Sequence, residues 1–229
     1  MIGLLLVVLG ATPRPYDPAQ IGRMNELAVA LRSHVAALDV GIAKEKDQPL
    51  LEEAREGYAV VWGPTTLACL SFLVEDATTI DVVGPRGKLA AKVTLYDVER
   101  RVALLETQKP LATIGLVPAE KAPAASRGRD EILFALVGTN VEDNVISGVI
   151  VDDGSAAELE KHPRISLQLA LGMPVFDPLV RFVGYARAVS WDKDRGMIVT
   201  ADHVLAAKTA TTAALPARPA ASPRPWWAR

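Results

Sequence analysis

Twelve short runs rich in β-branched and other apolar residues, separated by turn residues, constrain this chain more than any other feature. The first six are His34–Ile42, Tyr58–Trp62, Leu67–Ser71, Thr79–Val83, Leu89–Tyr96 and Val102–Thr107. The second six are Ile132–Val137, Val145–Val151, Ile165–Leu169, Pro174–Phe176, Arg181–Val189 and Met197–Thr200. Many short strands at regular spacing are the pattern of a β-barrel protein. Between the two groups lies Pro118–Asp130, rich in Ala, Lys, Arg and Pro, which reads as a connection between two units. Glu45–Glu56 is charged and polar. At 229 residues, half of them apolar, the chain can bury one large all-β core or two small ones.

The segments outside these runs have other characters. Residues 12 to 18 are a proline-rich linker. From Pro18 to Arg32, Ile21, Met24, Leu27 with Ala28, and Leu31 recur at helical spacing, predicting an amphipathic helix whose stripe packs on the barrels. Asp202 is placed to cap a closing helix, because its carboxylate can accept from an unpaired N–H of the first turn. After Thr212 four prolines forbid helix and leave a tail ending Trp226-Trp227-Ala-Arg. Residues 1 to 11 form a candidate signal peptide: Met1–Gly10 is an apolar core followed by Ala11-Thr12-Pro13, although no Lys or Arg precedes it. The alternative is an apolar first strand. The run is too short to span a bilayer, and no transmembrane segment is expected.

A net charge of −2 with scattered Lys and Arg argues against a nucleic-acid partner. Cys69 is the single cysteine, so no disulfide forms within the chain; its apolar surroundings mark it as a small buried hydrophobe. His34, His162 and His203 read as surface or capping histidines, and Asp152-Asp153-Gly154 as a turn. No phosphate loop, zinc spacing or dinucleotide fingerprint appears, so neither a cofactor nor a metal is expected.

The segment Ile165-Ser-Leu-Gln-Leu-Ala-Leu-Gly-Met-Pro-Val-Phe-Asp177, with Arg181-Phe-Val-Gly-Tyr-Ala-Arg187 after it, resembles the nucleophile segment of a trypsin-like serine protease of the HtrA/DegP kind. The family's Gly-Asn-Ser-Gly-Gly-Pro falls on Leu169-Ala170-Leu171-Gly172-Met173-Pro174, so the serine position is Leu171. Thr66–Val82 is similar to the segment that carries the family's histidine, whose position falls on Phe72. Thr79–Val93 looks like the hairpin that follows, and Glu45–Glu56 sits where the family has a loop between its first strands. Asp97-Val-Glu-Arg-Arg-Val-Ala-Leu-Leu105 resembles the aspartate segment and places Arg101 at the acid. Asp194–Leu205 resembles the last strand and the start of the closing helix, so the series covers roughly residues 30 to 210.

The resemblance implies an all-β, trypsin-like double β-barrel with an N-terminal and a C-terminal helix. The first barrel would span about 33–117, the second about 131–200 and the closing helix about 202–211, with a tail over 212–229 and no PDZ domain in this chain. It also implies a pseudoprotease. Ser-His-Asp catalysis needs a hydroxyl, a base within hydrogen-bond reach and an acid to orient the base, and Leu171, Phe72 and Arg101 supply none of these. The oxyanion loop would be degenerate as well, at Leu169, Ala170 and Gly172, with a side chain at Leu169 where the family has glycine. Phe72 and Leu171 are expected to be neighbours at the junction of the barrels, each contributing roughly 1.5–3 kcal/mol on burial. The Arg101 guanidinium is expected in solvent or on Asp97 or Glu99, because an unpaired buried charge is costly.

The expected role is a structural or protein-interaction module in an exported bacterial assembly, with Trp226 and Trp227 as partner-binding anchors unless they fold back on their own domain. A peptide-binding or chaperone-like protein is the alternative, and it requires a free strand edge near Val183–Ala186. A residual serine hydrolase is a minor alternative. Periplasmic or other exported localisation follows from the resemblance, with the cytoplasm as the alternative, and the N-terminal segment could support a homo-oligomer.

Overall fold

The computed structural model describes residues 18–42, 54–122, 131–137, 144–152, 164–165, 172–187, 196–200, 204 and 206. Its first barrel contains β1 (Val35–Ile42), β2 (Ala54–Val61), β3 (Thr66–Leu70), β4 (Ala77–Gly84), β5 (Gly87–Asp97) and β6 (Val102–Thr107). The second contains β7 (Ile132–Val137), β8 (Asn144–Asp152), β9 (Arg164–Ile165), β10 (Pro174–Phe176), β11 (Phe182–Arg187) and β12 (Gly196–Thr200). The sheets close in the orders β1-β2-β3-β6-β5-β4 and β10-β11-β12-β9-β8-β7. The expected double barrel is present.

Alternation along β1 shows how the first barrel is specified. Ala36, Leu38 and Val40 are buried, whereas Asp39 between them is exposed. A strand with this period must turn one edge of its pleat inward. Register then sets Asp39 opposite Glu56 on β2 and Asp81 on β4, an acidic row across three strands. Ala54–Glu56, expected as part of a charged loop, belongs instead to β2. Its polar residues sit on a paired strand: Arg55 and Glu56 lie opposite Val40 and Asp39, and Glu56 is exposed.

Three apolar clusters result. Leu38, Val61, Leu67, Cys69, Val82 and Leu105 belong to the core of the first barrel. Burial pushes the Cys69 thiol up to about 12, as a small hydrophobe in a dry core requires. Leu133, Met173, Val175, Val183 and Ala186 belong to the core of the second barrel. The third cluster lies at the junction and joins Leu31, Trp62, Leu70, Phe176, Phe182 and Tyr185. There Phe182 makes edge-to-face contacts with Phe176 and Tyr185, at centroid distances of 5.9 and 5.0 Å.

The helix α1 spans Pro18–Arg32, as its apolar spacing predicts. It sits against β1, β7 and β8 and buries Ala28 and Leu31. Val204 and Ala206 are helical, and Val204 joins the junction cluster; the rest of the expected closing helix lies outside the described residues. The start of the connection between barrels is built into both of them. Ala119 N donates to Val61 O at 2.8 Å, Phe182 N to Glu120 O at 2.7 Å and Ala122 N to Phe182 O at 2.9 Å. Among the described residues, no helix is long and apolar enough to cross a membrane.

Candidate functional site at the barrel junction

Phe72 follows β3 directly, in a single 3₁₀ turn over Ser71–Val74. Arg101 directly precedes β6, the strand that pairs with β3 in a register ending at Leu70 opposite Val102. The two positions are therefore held side by side, and Ser71 N donates to Arg101 O at 3.0 Å. The turn carrying Phe72 is pinned from below. Arg55 Nη1 donates to Phe72 O at 2.8 Å and to Glu75 O at 3.1 Å. Carbonyls at the end of a helical turn lack intrahelical donors, and a guanidinium is well shaped to supply them.

Gly172 comes to the same place from the second barrel. Its φ is +84°, a left-handed conformation that glycine adopts without a Cβ penalty. Its N–H donates to Ala186 O at 2.8 Å, and Ala186 N donates to Met173 O at 2.9 Å. A Cβ built on Gly172 would lie 3.4 Å from Leu73 Cδ1, 3.8 Å from Phe72 Cε1 and 3.9 Å from Leu70 Cδ1. So the residue after Leu171 faces Phe72 across the junction, in an apolar setting. Leu171 itself lies outside the described residues, as do Leu169 and Ala170 of the expected oxyanion loop, His162, His203, and the Trp226-Trp227 pair.

Arg101 is exposed, with φ at +59°. Of the two carboxylates offered to it as partners, Asp97 is held by its neighbour instead. Arg100 N donates to Asp97 Oδ1 at 2.8 Å and Arg100 Nη1 to Oδ2 at 2.9 Å. Burial alone would raise the Asp97 carboxyl, but the hydrogen bonds and charge of Arg100 outweigh it and hold the group below its ordinary value. His34 stands one residue before β1 with its Nδ1 3.0 Å from Val117 O, which places it in the contact between the end of α1 and the connection. Among the described residues, no cluster of His, Cys, Asp and Glu is arranged to hold a metal ion.

No protein-family model matches the chain, and no curated protein does either. Solved structures do. The active form of the Rv3671c protease from M. tuberculosis superposes with a TM-score of 0.66 at 18% identity, covering 93% of this chain and 97% of that one. Its inactive form gives 0.64 at 16% identity, covering 85% and 96%. A variant of the HtrA-type protease AlgW with a tripeptide gives 0.64 at 18% identity, and this chain's match spans 62% of that chain. The chain has the trypsin-like protease fold.

Within this trypsin-like fold two further side chains fix the second barrel, one of them at the junction, and sequence reasoning singled out neither. The Tyr185 hydroxyl donates to Ala68 O at 2.5 Å and accepts from Val60 N at 3.2 Å. Val60 and Ala68 are register partners on β2 and β3, so a residue of the second barrel completes a strand pair of the first. Asp177, 2% exposed, closes the turn between β10 and β11. Its Oδ1 accepts from Leu179 N at 3.0 Å and Arg181 N at 2.9 Å, and its Oδ2 accepts from Arg181 Nε at 2.9 Å. The Asp-x-x-x-Arg spacing was a usable signal for the second feature. Nothing in the sequence around Tyr185 announced the first.

The peptide-binding alternative requires a free strand edge near Val183–Ala186. In the structure β11 is an interior strand, with Gly184 and Tyr185 pairing to both β10 and β12 and Ala186 bonding to Met173 as well as pairing with Ile198. A closed barrel uses both edges of such a strand, which leaves no ladder for a peptide to extend.

Proposed function

We propose that this chain is a non-catalytic trypsin-like domain that works as a structural or protein-interaction module. One observation carries the reading: a Cβ built on Gly172 would lie 3.8 Å from the Phe72 ring and be surrounded by apolar atoms, at the place where the family resemblance puts the base and the residue after the nucleophile. Leu171 has no attacking group, Phe72 has no proton acceptor, and Arg101 is a cation with its side chain in solvent. Acyl transfer through the family's triad requires all three functions. The peptide-binding reading ranks below this one, because the strand edge it needs is paired on both sides.

Export and the Trp226-Trp227 tail belong to the same proposal. Two adjacent tryptophans among prolines are suited to anchoring in a partner's pocket. The test combines a fluorophosphonate serine probe with a pull-down from the envelope fraction, comparing the full chain with one truncated after Thr212. Background labelling and a discrete partner lost on truncation are expected. Stoichiometric labelling would make the chain a hydrolase, and recovery of many unfolded clients would make it a chaperone-like protein.

A further inference from the structure

We draw no further inference here: the strongest candidate, the acidic cross-strand row of Glu56, Asp39 and Asp81 on the outer face of the first barrel, carries nothing because Lys88 already pairs with Asp81 at 2.6 Å and no group among the described residues points to a ligand there.

Discussion

The hydroxyl of Tyr185 in the second barrel donates to the carbonyl of Ala68 in the first, at a point 117 residues away in sequence. Because the same oxygen accepts from Val60 N, removing it takes a hydrogen-bond partner from two buried backbone groups at once. An unsatisfied buried group costs about 1–3 kcal/mol. Tyr185→Phe should therefore destabilise the protein by about 2–4 kcal/mol in urea unfolding, while keeping the ring's contact with Phe182. A loss below about 1 kcal/mol would mean that the barrels do not depend on this bridge.

Stability should also fall in alkali, in a defined window. Folding raises the Cys69 thiol from its ordinary 9.0 to about 12, so the unfolded chain releases that proton first. The contribution is complete below pH 9.0 and is lost progressively as pH rises towards about 12. Tyr185 acts in the same direction at higher pH: burial above all, then the neighbouring Cys69, pushes its phenol well above 10. Each group gives a slope of about −1.4 kcal/mol per pH unit within its window. Cys69→Ala should remove the part that begins near 9 and leave the later part. An identical alkaline limb in the variant would exclude Cys69 as its source.

The turn at Asp177 holds a β-branched residue in an unfavourable conformation. Val180 has φ +62°, where a branched side chain crowds its own backbone. The Asp177 carboxylate fixes this geometry through Leu179 N, Arg181 N and the Arg181 guanidinium. Asp177→Ala should cost about 2–4 kcal/mol, since buried donors and a paired cation lose their acceptor. Val180→Gly should stay within about 1 kcal/mol of the parent, the relief of strain offsetting lost packing. Thermal unfolding of both variants checks the pair, and a larger loss for Val180→Gly than for Asp177→Ala would reverse the account.

Strand positions were largely legible in the sequence, for a physical reason. β6, β7 and β10 coincide with their predicted runs because burial of alternate or successive apolar residues leaves a pattern in the chain. β2 begins earlier than predicted because Arg55 and Glu56 satisfy its ladder with backbone groups and carry no apolar signature. The expected neighbourhood of Phe72 and Leu171 came only from an ordered series of partial matches along the chain, and Leu171 lies outside the described residues; Gly172, one residue on, is the position found near Phe72. Arg100 rather than Arg101 holding Asp97 was not legible, since it depends on the left-handed turn at Arg101. Tyr185 was hidden for a similar reason: its partners are backbone atoms of another barrel, and backbone atoms have no sequence identity.

The acidic row should make the first barrel less stable than its strands allow. Asp39 stands directly opposite both Glu56 and Asp81, and like charges at facing positions are unfavourable, even with Lys88 paired to Asp81 offsetting part of the repulsion. Asp39→Thr removes the middle charge and adds a β-branched residue to an exposed strand position. A gain of about 0.5 kcal/mol is expected at low salt. The electrostatic share must shrink at high ionic strength, where the Debye length falls to about 3 Å at 1 M. A gain independent of salt would assign it to strand propensity alone.

On the proposed non-catalytic reading, installing the family's triad residues at the three positions should not create a serine hydrolase. Arg101 sits in a left-handed turn with its side chain in solvent, and an aspartate placed on that backbone inherits the same direction. A histidine at Phe72 would replace a ring that faces Gly172 among Leu70 and Leu73, with apolar neighbours in place of the acid that must set its tautomer. The variant Phe72→His, Arg101→Asp, Leu171→Ser is therefore expected to leave fluorophosphonate labelling at the level of the parent chain. Circular dichroism and a cooperative thermal transition must first show that it is folded. Labelling well above the parent would overturn this prediction and show a backbone competent for acyl transfer.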